Sequence, residues 1–491
     1  RHVAAAKRRG AHIVAIDVRV SEACNLADDY FIVRPGTDAA LALAMMQVII
    51  AEGLHDSVFI EDYTKGFDEL QKHVVERTPE WAAQITGIDA VRIGAFARRY
   101  ANTERGMLVI SGSSMYKDQN GWQASRAISC LPALTGKLGI EGGGFGPRHA
   151  GNAHGFALNN ILNMEARPPG DYVPNQMSEI ANAFCDGRIK VLLLSGTDML
   201  SSYADADRVA AGMASMDLVI SHDLFMNDTA RRVADVVLPG TAWLEDLGCK
   251  ATNTHLYLTE RALAPEGEAR SICDLMRALA VRLDVEGFYP WDEEGGHINA
   301  VLDHPCTDHA TVESLRAAGG IKALNISHVA HVDHQYATPS GKIEFYSERA
   351  ADAGLPALPS YEPLPDSSHP LQLRMGRMLT HFHSFYDHGR ALPSLAKLEK
   401  APSLWMSTSD AETRGLKDGD SVRMYNASGQ FEAVVEVGDK VPSGTVWIHD
   451  GWSGLNALTN GGPSLPDAAT TLFPFSTGQS AYDASVEVQA L

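Results

Sequence analysis

"GAHIVAIDVRVSEACNLADDYFIVRPGTDAALALAMMQVIIAEGL", residues 10–54, decides how this chain is read. An apolar strand over 11–17 ends in Ile-Asp-Val-Arg, and a strand-like run covers 30–33. The turn "RPGTD" (34–38) then opens a helix expected over 38–53. Strand, Gly/Thr/Asp turn and helix in that order are an α/β unit whose turn lies at the carboxyl end of a parallel strand. The helical stretch "LALAMMQVIIAEGL" (41–54) is apolar on every side but too short to span a bilayer, so it reads as a buried helix.

The alternation continues outward. A helix over 88–101, a strand over 107–112 and a helix over 121–136 follow. A second series runs from about 178 to 285, with strands at 190–196, 218–223 and 234–240 and a helix at 271–283. Short apolar strands separated by helices predict mostly parallel sheets covered on both faces. Residues 286–370 read as loop-rich, with a proline-rich crossing at 354–370. Beyond it, "DSVRMYNASGQFEAVVEV" (420–437) and "GTVWIHDG" (444–451) alternate with turn signals, as in a small all-β barrel. The predicted fold is α/β: two doubly wound, mostly parallel-sheet domains over 1–150 and 151–368, and a C-terminal β-barrel of double-psi type over 369–491.

At 491 residues the chain exceeds the usual single core. Its 45% hydrophobic and 21% charged content is that of a soluble globular protein, either cytoplasmic or periplasmic. A formal charge of −20 works against binding nucleic acid or inserting at an anionic membrane, so a polyanionic ligand needs local basic residues and backbone N–H donors. The six cysteines form no C-x-x-C pair and include no iron–sulfur or zinc spacing, which predicts free thiols. The first residues read as a helix feeding a strand, as in the middle of an α/β unit, which places any targeting signal upstream.

Five strand-end loops carry Gly, Ser, Thr or Asp: 16–19, 34–38, 111–117, 195–199 and 221–223. Such loops let backbone N–H groups reach phosphate oxygens, and an aspartate accepts the paired donors of a guanine edge. The bland reading of each is an ordinary turn or cap.

With these loops the sequence resembles the molybdopterin oxidoreductases of the dimethyl sulfoxide reductase and formate dehydrogenase type. The opening stretch is similar to that family's I-D-P-R strand end and R-P-G-T-D-x-A-L turn. "WQASRAISCLPALTGKLGIEGGG", "DLFMNDTARRVADVVLPGTAWLED", "TPSGKIEFYSE" and the barrel sequence follow as its later landmarks, so the resemblance runs from residue 2 to about 488. It implies Mo or W held by two molybdopterin guanine dinucleotides, and a barrel closing over them. Position by position it assigns Asp17, Val18, Arg19, Gly36, Thr37 and Asp38 to one nucleotide end, with Asp38 as guanine acceptor. Ser113 and Lys117 fall on further contacts, Lys117 departing from the family's usual Gln. Thr197, His222, Asp223, Asp246 and Asp274 match contacts to the other nucleotide. Gly376, Arg377, Thr380 and His381 match the barrel loop over the pterins, with Asn460 and Tyr482 near its later contacts.

The family's N-terminal cysteine motif for a [4Fe–4S] cluster and the segment carrying the protein's ligand to the metal are absent. The expected partners are therefore a small-molecule substrate and an N-terminal segment or iron–sulfur electron-transfer subunit, with no metal ligand among these residues. The glycine-rich "LTGKLGIEGGGFGPRHAGNAHG" (134–155) is similar to the formate dehydrogenase branch, where an arginine faces the substrate. This puts Arg148, with His149, in the catalytic role, against the alternative of an arginine pairing with a phosphate or carboxylate. "SHVAHVDH" (327–334) looks extended, which works against a zinc site. The activity implied is that of a formate dehydrogenase-like large subunit acting on a small anionic substrate. The alternatives are a metal-free scaffold of a respiratory complex and a non-redox hydratase or transhydroxylase.

Overall fold

The computed structural model describes residues 2–110, 117–147, 156–162, 164–364, 367, 369–378, 380, 383–384, 393–472 and 477–491. β1 (Val14–Asp17) pairs in parallel with β2 (Asp29–Ile32), Asp17 lying opposite Ile32. β3 (Thr64–Lys65) finds its partner far along the chain, and β4 (Met107–Ile110) pairs in parallel with β5 (Gly144–Pro147). Between them runs the helix Asp38–Ala51, in which every residue except Asp38, Gln47 and Ala51 is buried. Its apolar residues show no single face because helices 90–102 and 121–134 pack on different sides of it.

β6 (Val191–Ser195), β7 (Leu218–Asp223) and β8 (Val236–Pro239) form a parallel sheet in that order, packed on Phe184, Val209 and Met213. The stretch expected to be loop-rich from 286 is more ordered than predicted. β9 (Gly248–Ala251), β10 (His255–Thr259) and β11 (Ile321–Ala323) build an antiparallel sheet around Leu256, Ile298, Leu302 and Leu315. Helices of seven and six residues, Gly296–Leu302 and Val312–Ala317, cover it, each too short to set up a readable period.

β12 (Ile343–Glu344) pairs with β3 and carries Phe345 into the first core, where Leu358 and Tyr361 join it. Residues 343–361, expected within the 151–368 unit, thus pack onto the first unit. The proline-rich segment is a strap over the helix Gly121–Leu134. Arg126 donates to the carbonyls of Pro356 and Ala357 at 2.8 Å each, and Asn120 donates to that of Glu362. "SHVAHVDH" is turn rather than extended: His331 and His334 have φ of 55° and 51°, and His334 stacks on Tyr63 at 4.2 Å. Among the described residues no group of three His, Cys, Asp or Glu is placed to hold a metal ion.

The C-terminal strands close a six-stranded barrel. β13 (Leu371–Gly376), β14 (Ser403–Met406), β15 (Ser421–Tyr425), β16 (Gln430–Val437), β17 (Thr445–His449) and β18 (Ser485–Ala490) run around it in the order β13-β17-β14-β16-β15-β18. The β13–β17 and β14–β16 pairs are parallel and the others antiparallel. All five residues of β17 are buried, since one face fills the barrel and the other meets the α/β units. Lys440 O accepts from Val20 N at 2.7 Å, and Gln479 Oε1 accepts from Ala204 N at 2.9 Å, so the barrel is tied to both units. No helix among the described residues is long and apolar enough to cross a membrane, and all six cysteines are free thiols.

Candidate functional site

A cavity of about 410 Å³ opens where the first unit meets the barrel. The carboxyl end of β1 contributes Asp17, Val18 and Arg19, and the turn after β2 contributes Gly36 and Asp38. Asp118 and Asn120 come from the turn that starts the Gly121 helix. Two long helices therefore start at this one space. Because β13 and β17 are parallel neighbours, their carboxyl ends lie side by side on the facing wall. They bring Arg374, Gly376 and Arg377 from one strand and Trp447 and Asp450 from the other, with Tyr482 alongside.

Backbone shape keeps this wall open. A Cβ on Gly376 would stand 3.1 Å from the indole nitrogen of Trp447, and Gly36, at φ 76°, sits against Leu364. Arg19 lies over Trp447 at 4.3 Å and over Trp405 at 5.1 Å from the ring centroids. Only 8% of Arg19 is exposed; its Nη2 reaches Glu22 at 3.4 Å and its Nη1 has no hydrogen-bond partner. Asp450, 9% exposed, accepts from His383 at 3.1 Å through one oxygen and has no hydrogen bond at the other. Buried polar atoms without hydrogen-bond partners are rare in folded chains, and two of the residues that line this cavity each carry one.

The charge balance inside is unusual. Arg374 is 4% exposed and donates to the carbonyls of Leu373, at 3.0 Å, and Tyr482, and more weakly to Gln372. Burial holds it below the usual arginine range, while Asp118, Asp483 and Asp38 around it act to raise it. Asp38 is half-buried and lines the cavity; burial first, and then the neighbouring Asp118, push its carboxyl up to about 6. Burial likewise raises Asp118, and raises Asp483 to about 6 with Asp118 adding to it. Burial lowers the Lys117 ammonium, against the pull of Asp450. The space is acidic at the helix ends and basic at the barrel edge, which suits a ligand with a hydrogen-bond-donating base at one end and phosphates at the other.

Of the residues assigned from the sequence, Asp17, Val18, Arg19, Gly36, Asp38, Gly376, Arg377 and Tyr482 line this cavity. Lys117 borders it: its ammonium lies 5.1 Å from the Tyr482 ring centroid, and its carbonyl accepts from Tyr482 N at 2.8 Å. Thr37 points away, donating to Arg34 O at 2.6 Å, and Thr380 donates to Glu399 at 2.5 Å. Asn460 is exposed and closes its own turn by accepting from Gly462 N at 2.9 Å. Ser113, Arg148, His149 and His381 lie outside the described residues.

The second set gathers elsewhere, at the carboxyl ends of β6 and β7. His222 meets Ser195 Oγ at 3.1 Å and the Arg270 carbonyl at 2.9 Å. Asp223 accepts from Leu224 N at 2.6 Å and from Asn227 Nδ2 at 3.1 Å, and the Thr197 carbonyl accepts from Asn227 at 3.5 Å. Asp246 accepts from Thr241 at 3.0 Å, and Asp274 is exposed at the start of the helix Ile272–Arg282. Both aspartates lie near Cys273, whose thiol is raised by burial first and by these carboxylates after it.

Sequence reasoning missed Asp118, Asn120, Arg374, Trp447 and Asp450. "KDQNG" (117–121) reads as a helix-capping turn, and Arg374 and Asp450 sit in or just past strands whose alternation explains them without a ligand.

The family model "Molybdopterin oxidoreductase" matches residues 1–282 and "Molydopterin dinucleotide binding domain" matches 371–472. The chain is 33% identical over 472 residues to "Probable oxidoreductase YoaE" of Bacillus subtilis, covering 92% of this chain and 68% of that protein. It is 28% identical over 488 residues to the F420-dependent formate dehydrogenase subunit alpha of Methanocaldococcus jannaschii, covering 94% of this chain and 71% of that one. Among solved structures, Acetylene Hydratase from Pelobacter acetylenicus matches with a TM-score of 0.75 at 25% identity, covering 91% of this chain and 68% of that chain.

Proposed function

Since this chain belongs to the molybdopterin oxidoreductase family, and so is a molybdopterin-dependent oxidoreductase, we propose that it is most of a formate dehydrogenase-like catalytic subunit. In this reading it holds Mo or W through two molybdopterin guanine dinucleotides and acts on a small, anionic substrate. The observation that carries it is the cavity between the Asp38 helix and the barrel, lined by Arg19 and Asp450, each of which also keeps one buried atom without a hydrogen-bond partner. These residues fit a nucleotide-bearing cofactor. A guanidinium with an unspent donor suits a phosphate, the bare backbone at Gly376 admits close approach, and an enclosed carboxylate suits the donor edge of guanine.

When bound, the cofactor supplies two-electron redox chemistry. The chain's own contribution is placement. Asp38 accepts from the base, Arg19 and Arg377 face the phosphates, and Trp447 with the apolar floor of Leu41, Met45 and Leu131 keeps water out. Arg148, in the glycine-rich stretch, orients the substrate's oxyanion through paired hydrogen bonds, with His149 beside it. An iron–sulfur cluster held by an N-terminal segment or a partner subunit would supply the route for the electrons.

The test is metal analysis with nucleotide extraction from protein made in a pterin-competent host. About one Mo or W and two guanine nucleotides per chain are expected, and Asp38→Ala is expected to lose guanine nucleotide. Undiminished guanine release from that variant counts against the assignment. The likeness to acetylene hydratase supports a second reading, in which substrate adds water with no net redox change. Electron exchange between the loaded protein, substrate and a viologen dye separates the two.

A further inference from the structure

Asp38 and Asp118 stand on different elements and face the same cavity. Asp38 begins one helix; Asp118 lies in the turn before another, where one of its oxygens accepts from Asn120 N at 3.0 Å. From β13, Arg374 faces both, but its hydrogen bonds run to two carbonyls and to Gln372, so it acts on the carboxylates only as a nearby charge. Asp483, beside Tyr482, is a third carboxylate around it, bonded at one oxygen by Gln119 N at 2.9 Å and unbonded at the other. Asp17 adds a fourth negative charge beside Asp38. Arg19, Arg377 and Lys117 lie toward the barrel edge.

Several carboxylates around one enclosed guanidinium do not all stay ionised, least of all once a diphosphate adds two more charges. Guanine resolves the conflict chemically. Its N1–H and N2–H₂ edge needs an ionised carboxylate, and its O6 accepts from a protonated one.

We infer that Asp118 is a second recognition group for the base, protonated and donating when a guanine nucleotide is bound, so that loading the cavity draws a proton from water. Asp38 stays ionised to accept from the base. The proton on Asp118 then does two things at once: it removes a like charge from beside Asp38, and it supplies a donor that an adenine, with an amino group at the matching position, cannot use. Burial first, and the charge of Asp118 after it, raise Asp38, and burial raises Asp118 as well, so a proton between the two relieves both. The inference rests on the nucleotide reading above, and its test separates the two.

The probe is GDP-mannose, whose phosphates are both esterified and so do not titrate between about pH 5 and 8, added to cofactor-free full chain in a calorimeter. In two buffers of different ionisation enthalpy at about pH 7.5, uptake of about one proton per bound ligand is expected, with affinity falling about tenfold per pH unit above neutrality. Asp118→Asn, which keeps a donor but no titratable proton, is expected to bind within about threefold of wild type at pH 6 and to lose the slope. ADP-ribose is expected to bind at least tenfold more weakly than GDP-mannose. Binding without proton uptake by wild type, or an unchanged slope in Asp118→Asn, overturns the inference and leaves the nucleotide reading intact. No binding of GDP-mannose even at pH 6 overturns both. The wild-type buffer comparison decides the matter even where the variant does not fold.

Discussion

The carboxyl ends of β1 and β2 and those of β6 and β7 carry the same kind of sequence, yet their side chains are in opposite conditions. At β6–β7, His222 is held by Ser195 and a carbonyl, and Asp223 by backbone N–H groups and Asn227. Between the first unit and the barrel, Asp38 and Asp118 face a cavity, and Arg19 and Asp450 each keep a buried atom without a hydrogen-bond partner. The difference teaches that a strand-end Gly/Ser/Asp loop is compatible with either a finished turn or a waiting ligand site. What separates them is whether the polar groups satisfy one another.

The hardest test of that contrast is a buried cation against an exposed one. Arg374→Met leaves three carboxylates without their guanidinium and is expected to destabilise the cofactor-free chain by about 3–5 kcal/mol in denaturant unfolding. Arg232→Met, near the second set, removes an exposed arginine paired with Asp207 at 3.0 Å and Asp228 at 3.7 Å. Its effect is expected to stay within about 1 kcal/mol. Comparable losses in the two variants would mean that Arg374 is not a focus of unbalanced charge.

A smaller effect should differ in sign. Asp38 in the folded chain is displaced upward from 3.8 to about 6. The folded state therefore holds its proton more tightly than the unfolded state does. The associated stability is fully present below about pH 3.8 and is lost as pH rises through about 6. Asp38→Asn cannot ionise, so at pH 7 it is expected to stabilise the cofactor-free chain by about 1–3 kcal/mol and to flatten its profile between pH 4 and 6. Asp223→Asn is expected to destabilise by about 1 kcal/mol, because its carboxylate already bonds the backbone. Destabilisation by Asp38→Asn at pH 7 would show that the first site is as self-satisfied as the second. Stability gained together with nucleotide lost is the signature of a group kept for ligand rather than for folding.

How much of this could be read from sequence follows from range. "RPGTD" and the apolar helix behind it placed Asp38 because strand, turn and helix are local, and the barrel strands declared themselves by alternation. Arg374 and Asp118 did not, because their meaning arises only when β13 is brought against a turn more than 250 residues earlier. The antiparallel sheet of β9, β10 and β11 was lost for a similar reason. Its strands have four, five and three residues, and the last follows a separate pair of helices. Thr37 shows a different side of the motif: its hydroxyl closes the turn by donating to Arg34 O.

The mildest substitution asks whether the second region is finished or merely quiet. Ser195 Oγ bonds His222 Nδ1 at 3.1 Å, and Ser221, next to that histidine, has a buried hydroxyl without a partner. Ser195→Ala removes one neutral hydrogen bond at a part-exposed position, for which about 1 kcal/mol of stability is the expected loss. If the β6–β7 turn is only a turn, guanine content of the loaded protein stays at the wild-type level, since nothing that touches ligand has changed. If the turn holds the other nucleotide, as the family resemblance implies, His222 loses its orientation and guanine content falls toward one per chain while unfolding stability barely moves. That second outcome would mean that partner satisfaction alone does not identify a ligand site, because a side chain such as His222 exchanges its internal partners for the ligand's when the ligand arrives.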